Sequence, residues 1–152
     1  MAMENRIIET QGTPKMQAII NKAKNNNHHV VEIDGFGIQD TESFLEAIEE
    51  GFRFPVPIDR HLFDRIEVIE DLGHLEWLDV DGFMIVVNNA KEMMRNNHKG
   101  RKKILDGVKI YVYCWSEERD RLLPERYRKF VTNASSEVVK LKALPFNVYL
   151  VD

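Results

Sequence analysis

Five acidic side chains lie within one short stretch of the sequence and could act together as a charged surface. They are Asp59, Asp64, Glu67, Glu70 and Asp71. Asp64, Glu67 and Asp71 are three and four residues apart, so a helix would place these carboxylates on one side. Clustered carboxylates create a field that attracts a basic protein. The stretch therefore predicts a protein-binding surface, and the alternative is an ordinary solvated helix face.

The same stretch carries apolar residues at helical spacing. Leu62, Ile66 and Ile69 fall at i, i+4 and i+7, which predicts an amphipathic helix that ends near Gly73. Like charges at such spacing each cost a helix a few tenths of a kcal/mol, and no lysine balances them here. A helix optimised only for stability would avoid this cost, which favours retention of the acids for binding.

Charge is distributed unevenly along the whole chain. Residues 32–81 contain fifteen Asp and Glu against three Arg and no Lys, a net charge of −12. Residues 91–142 contain fourteen Lys and Arg against seven acids, a net charge of +7. An acidic half repels nucleic acid and steers basic proteins towards it. We expect a basic protein partner and no direct binding to nucleic acid.

Length and composition indicate a single cytosolic domain. The 152 residues are 43% hydrophobic, which is enough to bury one core. The first residues include acids and lack an apolar signal core, and no long apolar run predicts a membrane span. Cys114 is the sole cysteine, which excludes an internal disulfide and suits a reducing compartment.

Other residues that could do chemistry offer weak patterns. Gly35-Phe36-Gly37 partly matches a dinucleotide-binding loop, but a turn with positive φ before a helix capped by Asp40 is preferred. The histidines show no metal-ligand spacing, and the serines lack a nucleophile-elbow context. We predict no catalytic residue, no metal site and no cofactor. Trp77 and Trp115 are interpreted as packing residues.

Strands and helices alternate along the sequence. Strands are predicted at His29–Asp34, Gly82–Asn89 and over the last seven residues. Helices are predicted from Pro14 with Thr13 as its cap, from Asp40 to Gly51, and over residues 62–72. Strands joined through helices pair in parallel. The predicted fold class is therefore α/β, with a small three-stranded parallel sheet flanked by helices.

Some segments are harder to assign. Residues 104–115 match both helical spacing and strand alternation, and we favour the helix. The residues up to Gln11 are interpreted as a mobile tail. One domain over residues 1–152 is expected, with an N-terminal helical extension over about 1–27 and an elaboration over about 117–144, in which VVKLKAL stays unassigned.

The order of these motifs resembles the barstar-like family. The matching stretches are EIDGFGIQDTESFLEAI, FRFP, EVIEDLGHLEWL, FMIVVNNA and the C-terminal PFNVYLVD. Together they cover roughly residues 29–115 and 145–152. The sequence departs from the family's aromatic-aromatic-Gly and Asn pattern at Val56–His61, and Val68 stands at the family's helical cysteine.

The resemblance implies an intracellular inhibitor that plugs the active site of a secreted ribonuclease or toxin. In such inhibitors an acidic side chain takes the place of an RNA phosphate against the enzyme's arginines and histidine. With Asp71-Leu72 as the anchor, that principal acid falls on Glu67. The implied binding residues are Asp59, Phe63, Asp64, Glu67, Glu70 and Asp71.

Two other functions stay open on the sequence. One is a general interaction module whose acidic half binds a basic protein that is not a nuclease. The other is an enzyme with a small-molecule site where the strands end, near Gly35–Gln39 and Asn88-Asn89.

Overall fold

A computed structural model of the chain describes residues 4–12, 14–56, 72–131 and 138–152. The strands are β1 (Ile7–Thr10), β2 (His28–Asp34), β3 (Gly82–Asn88), β4 (Arg119–Leu122), β5 (Val138–Leu141) and β6 (Phe146–Val151). The helices are α1 (Pro14–Asn25), α2 (Thr41–Gly51), α3 (His98–Cys114) and the short α4 (Glu125–Arg128). The predicted helix over residues 62–72 lies almost wholly outside the described residues, as does the predicted cap Thr13.

The main sheet is parallel and has the strand order β1-β6-β3-β2. This confirms the α/β fold class and the three predicted strands, which correspond to β2, β3 and β6. β3 lies between β2 and β6, and its first six residues are all buried. Burial on both faces explains why its sequence is an almost continuous apolar run.

The sheet has a fourth strand, so the prediction of three strands was wrong. The extra strand is β1, which pairs with β6 and places Ile7 beside Val148. It lies in the segment that we interpreted as a mobile tail. Asn5, which exposes 3% of its surface, fixes this segment: its side chain bonds three backbone groups of α3 and the β6 region.

Helices cover both faces of the main sheet. On one face Met16, Ile20 and Ala23 of α1 pack against β3. On the other face α2 and α3 contribute to the larger core together with Val31 and Ile85. Each large apolar side chain that is fully buried contributes about 1.5–3 kcal/mol relative to exposure. The helical interpretation of residues 104–115 is confirmed, because α3 contains residues 104–114 and Trp115 is its C-cap.

The connection from β2 to α2 confirms one prediction and corrects another. Asp40 caps α2: its carboxylate accepts a 2.8 Å bond from Ser43 N, and Ser43 closes a capping box. The preceding turn at Gly35–Gly37 is a 3-10 helix, and no described glycine has a positive φ. Gly35 is required for space, since a Cβ there would collide with the carbonyl of Asn89.

The segment after α3 contains a second, two-stranded sheet, which packs against the larger core through Val139 and Leu141. β4 and β5 pair antiparallel, with Arg121 opposite Val139, and α4 lies between them in the sequence. VVKL, which the sequence left unassigned, is β5. Within the described ranges, no helix combines the length and the apolar character needed to cross a membrane.

Candidate protein-binding site

The predicted binding residues fall in a stretch that the structure does not describe. Asp59, Phe63, Asp64, Glu67, Glu70 and Asp71 all lie within residues 57–71 and so outside the described residues. We call residues 57–71 the acidic segment. The structure describes its two flanks, which are Phe54–Val56 on the N-terminal side and Leu72 onwards on the C-terminal side.

The N-terminal flank begins with a tight termination of α2. Arg53 has a φ of 53°, and Phe54 N donates a 2.9 Å bond to Glu49 O while Arg53 N donates to Glu50 O. This pair of bonds is a Schellman motif, whose left-handed position is usually a glycine. A left-handed arginine costs about 1–2 kcal/mol, so the surrounding contacts must hold the turn.

Aromatic contacts hold this flank in place. The ring of Phe54 lies 5.0 Å from that of Trp77 and 6.3 Å from that of Tyr127. Trp77 also donates a 2.9 Å bond from Nε1 to the carbonyl of Phe52, which is fully buried. Edge-to-face pairs of this kind add about 0.5–1.5 kcal/mol each beyond their buried area. The chain therefore enters the acidic segment from a fixed point.

The C-terminal flank is held by the end of α3. Leu72 is fully buried, and its carbonyl accepts a 2.9 Å bond from Trp115 Nε1. The guanidinium of Arg119 lies 4.5 Å from the Trp115 ring and donates to the carbonyls of Cys114 and Gly73. The prediction that Trp77 and Trp115 are packing residues is confirmed, and each also donates a bond beside the acidic segment.

Tyr127 of α4 joins the two flanks. It is fully buried, and its ring lies 5.0 Å from that of Trp77 and 6.3 Å from that of His74. Phe54 from one flank and His74 from the other therefore contact the same side chain. The elaboration over residues 117–144, whose purpose the sequence did not reveal, supplies this contact.

A cluster of polar side chains, partly buried, lies next to the C-terminal flank. Arg121 Nε donates a 3.1 Å bond to His74 Nε2, which places the proton of a neutral imidazole on Nδ1, 3.6 Å from a Glu76 oxygen. Desolvation lowers the pKa of Arg119, and nearby Arg121 lowers it further, while Cys114 and Glu76 oppose the shift. Arginine remains charged. Two of the chain's own cations thus stand beside Gly73 and His74.

This cluster of polar side chains was hardly predictable from the sequence. Arg119 and Arg121 alternate with Asp120 and Leu122 as strand residues do, which was the available signal. That β4 packs beside His74 depends on tertiary contacts between residues 47 positions apart.

The strand ends proposed as a small-molecule site form a structural junction. Asp34 Oδ1 accepts bonds from Phe36 N at 3.0 Å and from Asn89 Nδ2 at 3.2 Å. Asn89 itself is left-handed, with a φ of 53°. The polar groups of these residues thus bind one another, and they tie the end of β2 to the end of β3.

Comparison with known proteins gives a family match. The model of the family described as Barstar (barnase inhibitor) matches residues 28–123. This range includes β2, α2, the acidic segment, β3, α3 and β4, and it leaves out β1, α1, α4, β5 and β6. No curated protein and no solved structure matches the chain.

Proposed function

The chain belongs to the barstar family, and we propose that it inhibits a basic ribonuclease or ribonuclease toxin by binding it through the acidic segment. One observation carries the proposal. The range that matches this inhibitor family, residues 28–123, contains the whole acidic half of the chain. The charge that would attract a basic enzyme therefore lies inside the part of the chain that the family defines.

In the proposed complex Glu67 takes the place of an RNA phosphate in the enzyme's active site. Asp64, Glu70 and Asp71 extend the negative field, Asp59 adds to it before the helix, and Phe63 supplies an apolar contact. Charge complementarity speeds the encounter, and buried contacts slow the dissociation. This function requires no cofactor and no catalytic residue of the chain itself.

The described flanks support the proposal because they lower the conformational entropy that the acidic segment would lose on binding. Phe54 on one side and Leu72 on the other are held by Trp77, Tyr127 and Trp115. Fixed end points reduce the conformational freedom that a segment loses when it binds, and a smaller loss gives a higher affinity.

Inhibition assays with charge reversal test the proposal. A panel of basic ribonucleases that includes barnase is titrated with the wild-type chain and with Glu67→Lys, and RNA cleavage is followed at low and high salt. We expect at least one enzyme to be inhibited, and we expect Glu67→Lys to weaken that inhibition by roughly a hundredfold or more without changing the melting temperature. High salt should also weaken it.

The matched control is Glu118→Lys, which makes the same charge change at an exposed residue outside the acidic half. It should inhibit as the wild type does. Equal inhibition by Glu67→Lys and Glu118→Lys would contradict the assignment of Glu67. Failure to inhibit any enzyme of the panel would contradict the ribonuclease proposal itself.

A second candidate is an interaction module for a basic protein that is not a nuclease. It is favoured by Val56–His61, where the sequence lacks the family's aromatic-aromatic-Gly and Asn pattern. Under this alternative, Glu67→Lys abolishes binding to a basic protein that has no ribonuclease activity, and the wild-type chain leaves RNA cleavage unchanged.

A further inference from the structure

The outer edge of β2 is open in the described part of the chain. β2 pairs with β3 along all seven of its residues, and no described strand pairs with its other edge. An edge strand presents a row of backbone N–H and C=O groups that a further strand can bond. This makes β2 a template for an added chain.

A groove runs along this edge between β2 and α2. Its volume is about 650 Å³. Six consecutive residues of β2, His29–Asp34, line one side, and Ser43, Glu46 and Glu50 belong to the side formed by α2. Six strand residues extend for about 20 Å, so the groove is long enough for an extended peptide of similar length. A groove between an edge strand and a helix suits strand addition.

The groove is acidic on both faces of the sheet. Successive strand residues point to opposite faces, so Glu32 lies on the α1 side with Val30, whereas Val31 packs into the core on the α2 side. Glu46 and Glu50 are exposed on α2 itself. A strand added to β2 would therefore meet carboxylates with both of its alternating sets of side chains.

These carboxylates are available to a ligand. The side-chain carboxylates of Glu32, Glu46 and Glu50 make no hydrogen bond or ion pair with any described residue. Arg53, at one end of the groove, is the cation among the lining residues, and Asp34 adds a further acid at the other end. The lining thus carries a net negative charge, which favours a cationic occupant.

We propose that this groove binds an extended segment of a partner protein, rich in lysine and arginine, as a fifth strand beside β2. Backbone bonds to the open edge supply affinity, and the carboxylates on both faces select cationic side chains. The groove lies outside the acidic segment, so this proposal goes beyond the function proposed above and does not depend on it.

A second copy of the chain is a poorer occupant. Edge-to-edge pairing of two β2 strands would bring Glu32 and Asp34 close to the same residues of the other copy. Like charges placed opposite each other destabilise strand pairing. Charged residues on an edge strand also discourage such self-association. Analytical ultracentrifugation of the wild-type chain would detect a dimer.

A synthetic peptide tests the proposal with the full-length chain. The probe is Lys-Val-Lys-Thr-Lys-Val-Lys, whose binding is measured by calorimetry. The control peptide has the same sequence with N-methyl groups on alternate backbone nitrogens, which removes donors and keeps the charge. We expect the methylated peptide to bind at least tenfold more weakly than the probe, because strand addition requires backbone bonds.

Charge reversal in the groove provides the second measurement. Glu46→Lys combined with Glu50→Lys should weaken binding of the probe at least tenfold, with little change in melting temperature because both residues are exposed. The matched control, Glu117→Lys combined with Glu118→Lys, makes the same charge change at exposed residues outside the groove. It should leave binding nearly unchanged.

Three outcomes would overturn the proposal: no binding of the probe at millimolar concentration, equal binding of both peptides, or an equal loss in the two double variants. A dimer of the wild-type chain that the Glu46 and Glu50 reversals dissociate would instead assign the groove to self-association. Glu67→Lys should bind the probe normally, so failure of the inhibitor proposal and failure of this one are distinguishable.

Discussion

Trp115 donates a 2.9 Å hydrogen bond from its indole nitrogen to the carbonyl of Leu72, and both residues are buried. Leu72 is the first described residue after the acidic segment. The end of α3 therefore determines where the chain leaves that segment. The two residues are 43 positions apart in the sequence, and the bond that joins them comes from an indole, a side chain that is mostly apolar.

Trp115→Phe should destabilise the protein by about 1–3 kcal/mol, because it leaves the buried carbonyl of Leu72 without a donor. Urea unfolding at neutral pH measures the change. Trp77→Phe is the control: it also removes an indole bond, but the Trp77 side chain is only partly buried, so water can replace the lost donor at Phe52 O and the loss should be smaller. Equal losses in the two variants would contradict the importance of burial at Leu72.

Strong local signals explain which elements could be predicted. β2 and β3 are compact apolar stretches, and Asp40 was predicted from the sequence as a helix cap, to which the structure adds the capping box with Ser43. β1 and β5 are four residues each, too short for periodicity to be informative. β1 is stabilised by pairing with β6, which follows it by some 140 residues, and no local pattern predicts that.

The residues of the candidate site also differ in how far the sequence could predict them. The acidic segment was predicted from spacing and charge, and its residues remain a prediction because they lie outside the described residues. Trp77 and Trp115 were predicted to be packing residues, but their hydrogen bonds beside the acidic segment were not predicted. The contribution of Tyr127 was not predictable, because its edge-to-face contact with Phe54 joins residues that are far apart in the sequence.

Gly35→Ala should cost about 1–3 kcal/mol, because the added Cβ would collide with the carbonyl of Asn89, which belongs to the backbone and cannot easily move. Gly37→Ala, two residues later, is the control, since a Cβ there meets nothing within 4 Å. Thermal unfolding of both variants measures the difference. If Gly37→Ala were the more damaging, the close approach of the two strand ends would not be the reason for the glycine.

The pKa of Asp40 is lowered from its usual 3.8, first by the backbone N–H of Ser43 and then by its hydroxyl. A carboxyl group with a lowered pKa in the folded state stabilises the fold above its unfolded pKa, and this stabilisation is lost as the pH falls through the folded value. Asp40→Asn keeps a capping oxygen without the charge. The stability advantage of the wild type over Asp40→Asn should therefore be constant near pH 7 and decrease progressively as the pH falls below 3.8 towards the lowered folded pKa.

Asp40→Ala removes both the capping oxygen and the charge, so comparing it with Asp40→Asn separates the contribution of the hydrogen bonds from that of the charge. It should lose about 1 kcal/mol at neutral pH, because α2 then lacks its N-cap acceptor. Urea unfolding at pH 7 and pH 3 compares the three proteins. A wild-type advantage over Asp40→Asn that was no smaller at pH 3 than at pH 7 would show that the charge of Asp40 does not contribute as the hydrogen bonds indicate.

Arg53→Gly should stabilise the protein by about 0.5–1 kcal/mol, because glycine removes the cost of a left-handed side chain but adds freedom to the unfolded state. Arg53→Ala keeps a Cβ at the same φ of 53° and should give no such gain. Chemical denaturation measures both. A gain shared by the two variants would mean that the arginine side chain, and not its backbone, is the source of the strain.

Asn5→Ala should destabilise the protein by about 3 kcal/mol or more, because it leaves several buried backbone groups without partners. Asn5 Nδ2 donates to the carbonyls of Val112 and Leu144 at 3.2 and 3.0 Å, and its Oδ1 accepts a 3.0 Å bond from Phe146 N. Glu4→Ala, at the exposed neighbouring residue, should change stability by less than about 0.5 kcal/mol. Hydrogen exchange should show faster exchange in β1 of Asn5→Ala. Equal stability of the two variants would mean that β1 adds little to the sheet, as a mobile tail would.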